Sequence, residues 1–152
     1  GLVHDMGKVA IYIVAQDEFL RTVEYARGNS MSVYDAELAA VLPRHTAIGT
    51  ELASKWRLPM QIKAVIQHHH QRESALRSGL SGDLNQVVDI VYLANLLVHA
   101  LQFGDSGHST VPGAPKVIME RLYLTPEKLK DLIAEIKDKL SNAEAFLKII
   151  GG

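Results

Sequence analysis

No cysteine occurs anywhere in the 152 residues. Disulfides, thiolate zinc sites and cysteine nucleophiles are therefore excluded, and the chain is compatible with a reducing compartment. An excess of one charge is also missing. Sixteen Lys and Arg stand against 17 Asp and Glu, a formal net charge of -1, which is too even to draw the chain to nucleic acid or an anionic membrane surface. Long hydrophobic runs are lacking as well: Val9 to Ala15 is too short to span a bilayer, and it has no positively charged leader or small-residue cleavage pattern. The expectation is a soluble cytoplasmic protein. What the chain does have is 47% hydrophobic residues, enough for one buried core with a small appended element. Leu2-Val3-His4-Asp5 reads as the middle of an element with no initiator Met, so the chain reads as a fragment whose N-terminal part is missing.

Apolar residues recur at helical spacing. Phe19, Leu20, Val23 and Ala26 define a helix stopped by Gly28-Asn29. Val9 to Ala15 is rich in β-branched residues but has no second strand-like run to pair with, and is read as helix. Ser32 and Asp35 cap a helix through Glu37, Leu38 and Val41, and Pro43 marks a break or a fresh helical start. His45, Ile48, Gly49, Leu52 and Trp56 then share a face. Pro59 suits the first turn of a helix in which Ile62, Ile66 and His69 or His70 share a side. Asp83 is positioned to cap a long helix from Leu84 to Phe103. Residues 104–115 form a loop by composition, with nothing resembling a phosphate-binding loop. A short helix around Val117 to Tyr123 follows. The last, capped by Thr125, runs from Pro126 to about Ile150 with Leu129, Leu132, Ile133, Ile136, Leu140, Ala143, Leu147 and Ile150 as its apolar stripe. The predicted fold is all-α: a helical core over 1–103, the loop at 104–115, and a helical extension of the same domain over 116–152. There is no internal repeat.

The chemistry-bearing residues are mostly histidines. His68, His69 and His70 end one amphipathic segment, and His4-Asp5 sits near the start. Imidazole is the commonest metal-binding side chain, and a carboxylate adds a harder oxygen to the same ion. The candidate ligands are His4, Asp5, His45, His69 and His70, followed by Asp89 or Asn95. Neighbours on a helix diverge by roughly 100°, so each adjacent pair reaches one centre only if the helix points edge-on at it, or if Asp bridges two ions. Gly49, one turn after His45, would let another helix approach closely. Such a set suits a thiolate-free Zn, Mn or Fe site able to activate water against a phosphate ester. The competing reading is a solvated histidine-rich helix end. Trp56 and Tyr92 are read as core or groove-lining aromatics, and His99 and His108 as surface or satisfied core residues.

Leu2-Val3-His4-Asp5-Met6-Gly7-Lys8 resembles the LLHDIGK signature of the HD superfamily of metal-dependent phosphohydrolases and their regulatory relatives. The further run of Glu37, His45, Gly49, Leu52, Trp56-x-Leu58-Pro59, Ile62, Ile66 and His69-His70 is similar to its HDOD branch, a mostly bacterial family tied to signal transduction. The likeness covers roughly residues 1 to 100 and leaves His68 outside the paired histidines. It implies an HD-like helical bundle and a metal site drawn from His4, Asp5, His45, His69, His70 and Asn95. The implied cofactor is a divalent transition metal, Fe, Mn or Zn. Lys8 would stand near a bound phosphate or be an exposed helical lysine. Catalytic relatives place an Asp where this chain has Asn95, a poorer ligand for a hard divalent ion. Asp89 lies about 120° away around a helix and does not simply substitute. The DGxGYP pattern of cyclic-di-GMP phosphodiesterases does not follow His70.

The expectation is thus a regulatory HDOD-type domain in bacterial signal transduction, noncatalytic or weakly catalytic, whose partners are other signalling proteins or domains. Neither nucleic acid nor membrane is an expected partner. The alternative is a metal-dependent nucleotidase or phosphodiesterase, in which Asp5 and Lys8 would act at the ion. A third reading is an interaction scaffold that docks through its last helix.

Overall fold

A computed structural model describes residues 1–40, 43–77, 79–103 and 113–150, with backbone only over 143–150. The described residues form eight α-helices and one short 3-10 turn, and no strand is found among them. The helices are α1 (Met6–Val14), α2 (Gln16–Gly28), α3 (Val33–Ala39), α4 (His45–Lys55), α5 (Met60–His68), α6 (Gly82–Ala100), α7 (Lys116–Arg121) and α8 (Pro126–Ile150). None of them is long and apolar enough to cross a membrane. Val41, His108 and most of the 104–115 loop lie outside the described residues, as do the side chains of Ala143, Leu147 and Ile150.

The β-branched run that opens the chain is helical, and α1 buries only Gly7 and Ile11, which lie four residues apart. Val9, Ile13 and Val14 stay exposed. Gly7 faces α4 so closely that a Cβ there would lie 1.9 Å from the His45 carbonyl oxygen, and a Cβ on Gly49 would lie 2.7 Å from Ile66. The close approach expected of Gly49 is therefore present, and Gly7 shares it. Two glycines let α1 and α4 meet backbone to backbone.

Local signals explain three of the helix starts. The Ser32 hydroxyl accepts the Asp35 N–H and starts α3, and the Thr125 hydroxyl accepts from Lys128 at the start of α8. At α6 the cap is Ser81, whose hydroxyl accepts from Leu84, so Asp83 falls in the first turn instead. There its charge still favours the positive end of the helix. Helix α2 ends at Gly28 with Asn29 as its C-cap, where the sequence placed the stop, and Ser30, with φ 51°, closes the turn.

Helix α4 stops in the same way. Arg57 has φ 53°, and the Arg57 and Leu58 N–H groups donate back to the Ser54 and Ala53 carbonyls, a Schellman closure. This turn swings Trp56 off the buried face, leaving it 61% exposed rather than in the core. The residues α4 does bury are His45, Thr46, Gly49 and Ala53.

Three small apolar clusters hold the bundle. Ala26, Val33 and Ala36 join α2 to α3, and Ala64, Val65 and Val88 join α5 to α6. The third cluster gathers Leu93, Leu96 and Leu97 of α6 with Ile118 of α7, and the α8 residues Leu129, Leu132, Ile133 and Ile136 pack against it. The part of the α8 stripe from Leu129 to Ile136 is therefore spent on its own chain. The C-terminal helices pack on the helical core, and Tyr92 is among the half-buried residues there.

Candidate metal centre

Four side chains from three separate places converge. One donor atom each from Asp5, His45, His69 and His70 lies within 4.8 Å of all the others. His45 Nε2 is 3.3 Å from Asp5 Oδ1, 3.4 Å from His69 Nε2 and 3.1 Å from His70 Nε2. Asp5 Oδ1 is likewise 3.3 Å from His69 Nε2. Two donors each about 2.1 Å from one ion, at angles of 90–109°, stand about 3.0–3.4 Å apart. Those four separations match a single coordination shell.

Neither adjacent pair sits inside a helix, which resolves the 100° divergence between neighbours. Asp5 is the residue before α1, and its side chain makes no cap bond to that helix. The carboxylate turns instead to the histidines and to Lys8, whose ammonium donates to Oδ2 at 2.8 Å. His69 and His70 lie in the turn that closes α5. There the His69 ring takes over the role of a helix C-cap: its Nδ1 lies 3.1 Å from the Val65 carbonyl oxygen and 3.0 Å from that of Ile66. The Val65 carbonyl already accepts the His69 backbone N–H, whereas the Ile66 carbonyl is one the helix end leaves without an intrahelical partner.

Each ring has its own support. Glu37, buried on α3, places both carboxylate oxygens 2.8 Å from His45 Nδ1 and also accepts the His45 backbone N–H at 3.1 Å. One carboxylate thus caps α4 from a neighbouring helix and orients its first side chain. Tyr34 of α3 stacks on His70 with centroids 4.4 Å apart and planes 19° apart, while the Arg44 guanidinium covers Tyr34 at 4.4 Å.

These partners determine where the ring protons are. Carbonyls and carboxylates only accept, so His45 and His69 carry their protons on Nδ1, and in the neutral rings both Nε2 atoms are bare lone pairs. Those lone pairs face each other and the Asp5 carboxylate. His4 Nε2 and Asp5 Oδ1 are buried without a hydrogen-bond partner. Such a cluster of acceptors is repulsive until a positive charge enters it, and three imidazoles with one carboxylate are the donor set of a thiolate-free transition-metal site. A divalent transition metal fits the residues present.

The electrostatics differ from ring to ring. Burial alone would raise the Asp5 carboxyl, but His45, His69, Lys8 and His4 hold it far below the usual carboxylate range. Burial also opposes charge on His45, yet the bonds to Asp5 and Glu37 outweigh it and raise that ring above the ordinary imidazole value. Burial pushes His69 and His70 down. Three facing rings favour charge on one member only.

His4 stands at the edge of the cluster, with Nε2 3.4 Å from Asp5 Oδ2 and its ring edge-on to His69 at 4.8 Å. Asn95, half-buried on α6, makes no side-chain hydrogen bond among the described residues. Asp89 is committed elsewhere, to ion pairs with Arg77 and Arg121. His68 bonds Gln71 at 2.7 Å and stays outside the cluster, while His99 is half-buried on α6. Sequence reasoning assigned no role to Glu37 or Tyr34. The available signal was an acid, Glu37, on the same buried face of α3 as Val33 and Ala36, since a buried carboxylate requires a partner.

No curated protein and no solved structure matches the chain. The family model of the HDOD domain matches residues 1–72, a span that starts before His4 and ends just after His70. Over that span, a little under half of the chain, it is similar to the HDOD domain family.

Proposed function

We propose that this is a regulatory HDOD domain of a bacterial signalling protein, in which a divalent transition metal, Fe, Mn or Zn, ties α1, α4 and the end of α5 together. The observation that carries the reading is the set of lone pairs on His45, His69 and Asp5, held face to face by partners on the far side of each ring. His70 completes the shell, His4 lies at its edge, and Asn95 takes no part that its hydrogen bonding supports. A regulatory role fits a site whose ligands arise from elements far apart in sequence, because metal occupancy then sets how those elements pack. The partners are other signalling proteins or domains in the cytoplasm, and the balanced charge argues against nucleic acid.

Metal analysis after purification without chelator tests this reading. About one transition-metal ion per chain is expected, absent in His69→Ala, with no turnover of nucleotide or phosphodiester substrates in Mn, Fe, Mg or Zn. Protein that stays metal-free, and whose melting temperature does not respond to added Mn, Fe or Zn, would sink it.

A second reading, a metal-dependent phosphohydrolase, is favoured by Lys8. Its ammonium sits beside Asp5, whose side chain is 30% exposed while those of His45 and His69 are fully buried, so a phosphate arriving from that side would meet a cation. A bound divalent ion supplies Lewis acidity and a water of lowered pKa. Lys8 would orient the phosphate, and Glu37 would keep His45 in its tautomer. Phosphate-ester turnover abolished by both His69→Ala and Lys8→Ala would establish this reading over the first.

A further inference from the structure

We infer that the Arg77–Asp89–Arg121 ion triad positions the histidine dyad, so that α6 and α7 set the geometry of the metal centre. His69 and His70 lie past the end of α5, where no helical ladder fixes the backbone that follows. The next two carbonyls are instead held from a distance. Arg77, fully buried, donates Nε to the Gln71 carbonyl at 2.9 Å and Nη1 to that of Asn85 at 3.2 Å. Arg121 of α7 donates Nη2 to the Arg72 carbonyl at 2.7 Å. Asp89 of α6 aims both guanidiniums, pairing with Arg77 Nη2 at 2.8 Å and with Arg121 Nε at 2.6 Å and Nη2 at 2.8 Å.

The forked guanidinium suits this task, since one planar group serves the carboxylate and passes a donor on to a carbonyl. Stability alone is a poor reason for such a triad: burying charges costs desolvation, and apolar replacements of similar volume are often as stable. The carbonyls gripped lie one and two residues beyond His70, so their position is also the position of the dyad. Its consequence for metal rests on the metal-centre reading, whereas its consequence for the backbone does not.

The test uses Arg121→Gln and Arg121→Lys in the full chain, with Arg121 chosen because it is the most exposed member. Co²⁺ binding is followed by visible absorption, and amide hydrogen exchange at His69 and Gln71 is followed in chelator-treated protein. For Arg121→Gln the expectation is about tenfold weaker Co²⁺ binding and severalfold faster exchange at both amides, with exchange in α2 unchanged. Lysine still pairs with Asp89 but lacks the fork to reach Arg72 as well. It should recover the melting temperature without the Co²⁺ affinity, a split that a merely structural role would not produce. Parental affinity, spectrum and exchange in both variants overturns the inference, as does weaker binding with unchanged exchange. If the parent takes up no Co²⁺, the metal-centre reading is lost and exchange alone decides: acceleration at His69 and Gln71 upholds the positioning role, unchanged rates overturn it. If Arg121→Gln does not fold, the lysine variant decides on the same readouts.

Discussion

Glu37 holds His45 twice, through the ring Nδ1 at 2.8 Å and through the backbone N–H at 3.1 Å. One carboxylate thereby starts α4 and points its first side chain, Nε2 foremost, at Asp5, His69 and His70.

Glu37→Ala removes both bonds and leaves two buried donors unpaired. At about 1–3 kcal/mol for each unsatisfied buried group, the variant should lose about 2–6 kcal/mol in urea unfolding. Glu37→Gln keeps an acceptor but removes the charge. It should remain folded and bind metal about 10- to 100-fold more weakly by isothermal titration; parental affinity in this variant would remove Glu37 from the centre.

Gly7→Ala should be far more harmful than its size suggests. The added methyl would lie 1.9 Å from the His45 carbonyl oxygen, and backbone cannot step aside as a flexible side chain can. Overpacking of this kind costs about 1–3 kcal/mol or more, and the forced shift of α1 also carries Asp5 away from His45. Gly28→Ala is the internal control. No heavy atom lies within 4 Å of its new methyl, and alanine is about 1 kcal/mol the better helix former. The two melting temperatures should move in opposite directions, and a Gly7→Ala protein as stable as its parent would contradict the packing described.

Added metal should raise the melting temperature, because the folded chain assembles donors that the unfolded chain scatters between positions 5 and 70. The stabilisation grows with metal concentration to about 2.7 kcal/mol at a hundredfold excess over Kd. Scanning calorimetry with Mn²⁺ or Zn²⁺, before and after chelation, measures it. His45→Ala should abolish the response, and a shift that persists in that variant would locate the metal elsewhere.

Asp89→Ala strands two arginines, one of them fully buried. Breaking a buried pair by removing one partner costs about 3–5 kcal/mol, so a folded Asp89→Ala protein should be strongly destabilised in urea. Replacing Arg77, Asp89 and Arg121 together by Met, Leu and Met should recover most of that loss. A triple variant no more stable than Asp89→Ala would show that the triad stabilises the fold in its own right.

Much of this was legible along the chain. Period-3.6 apolar spacing marked the helices, Ser32 and Thr125 declared two starts, and Gly49 announced a close approach before any partner was known. What spacing missed lies at a helix end, where Arg57 adopts left-handed backbone without being glycine and Trp56 is turned outward. Such turns are decided by what the next segment packs against, which local spacing does not carry.

The sequence by itself determined that the molecule is all-helical, and its paired histidines and His4-Asp5 carried the likeness to the HDOD family, because periodicity and motif spacing are local properties. Only the tertiary structure decided that Asp5, His45, His69 and His70 share one centre, that Glu37 and Tyr34 support it, and that Asp89 serves two arginines. Helix termini from distant parts of the chain must pack before their side chains can meet. Convergence of that kind depends on the approach of α1 to α4 through Gly7 and Gly49, and on the turn that carries His69 and His70 past the last residue of α5.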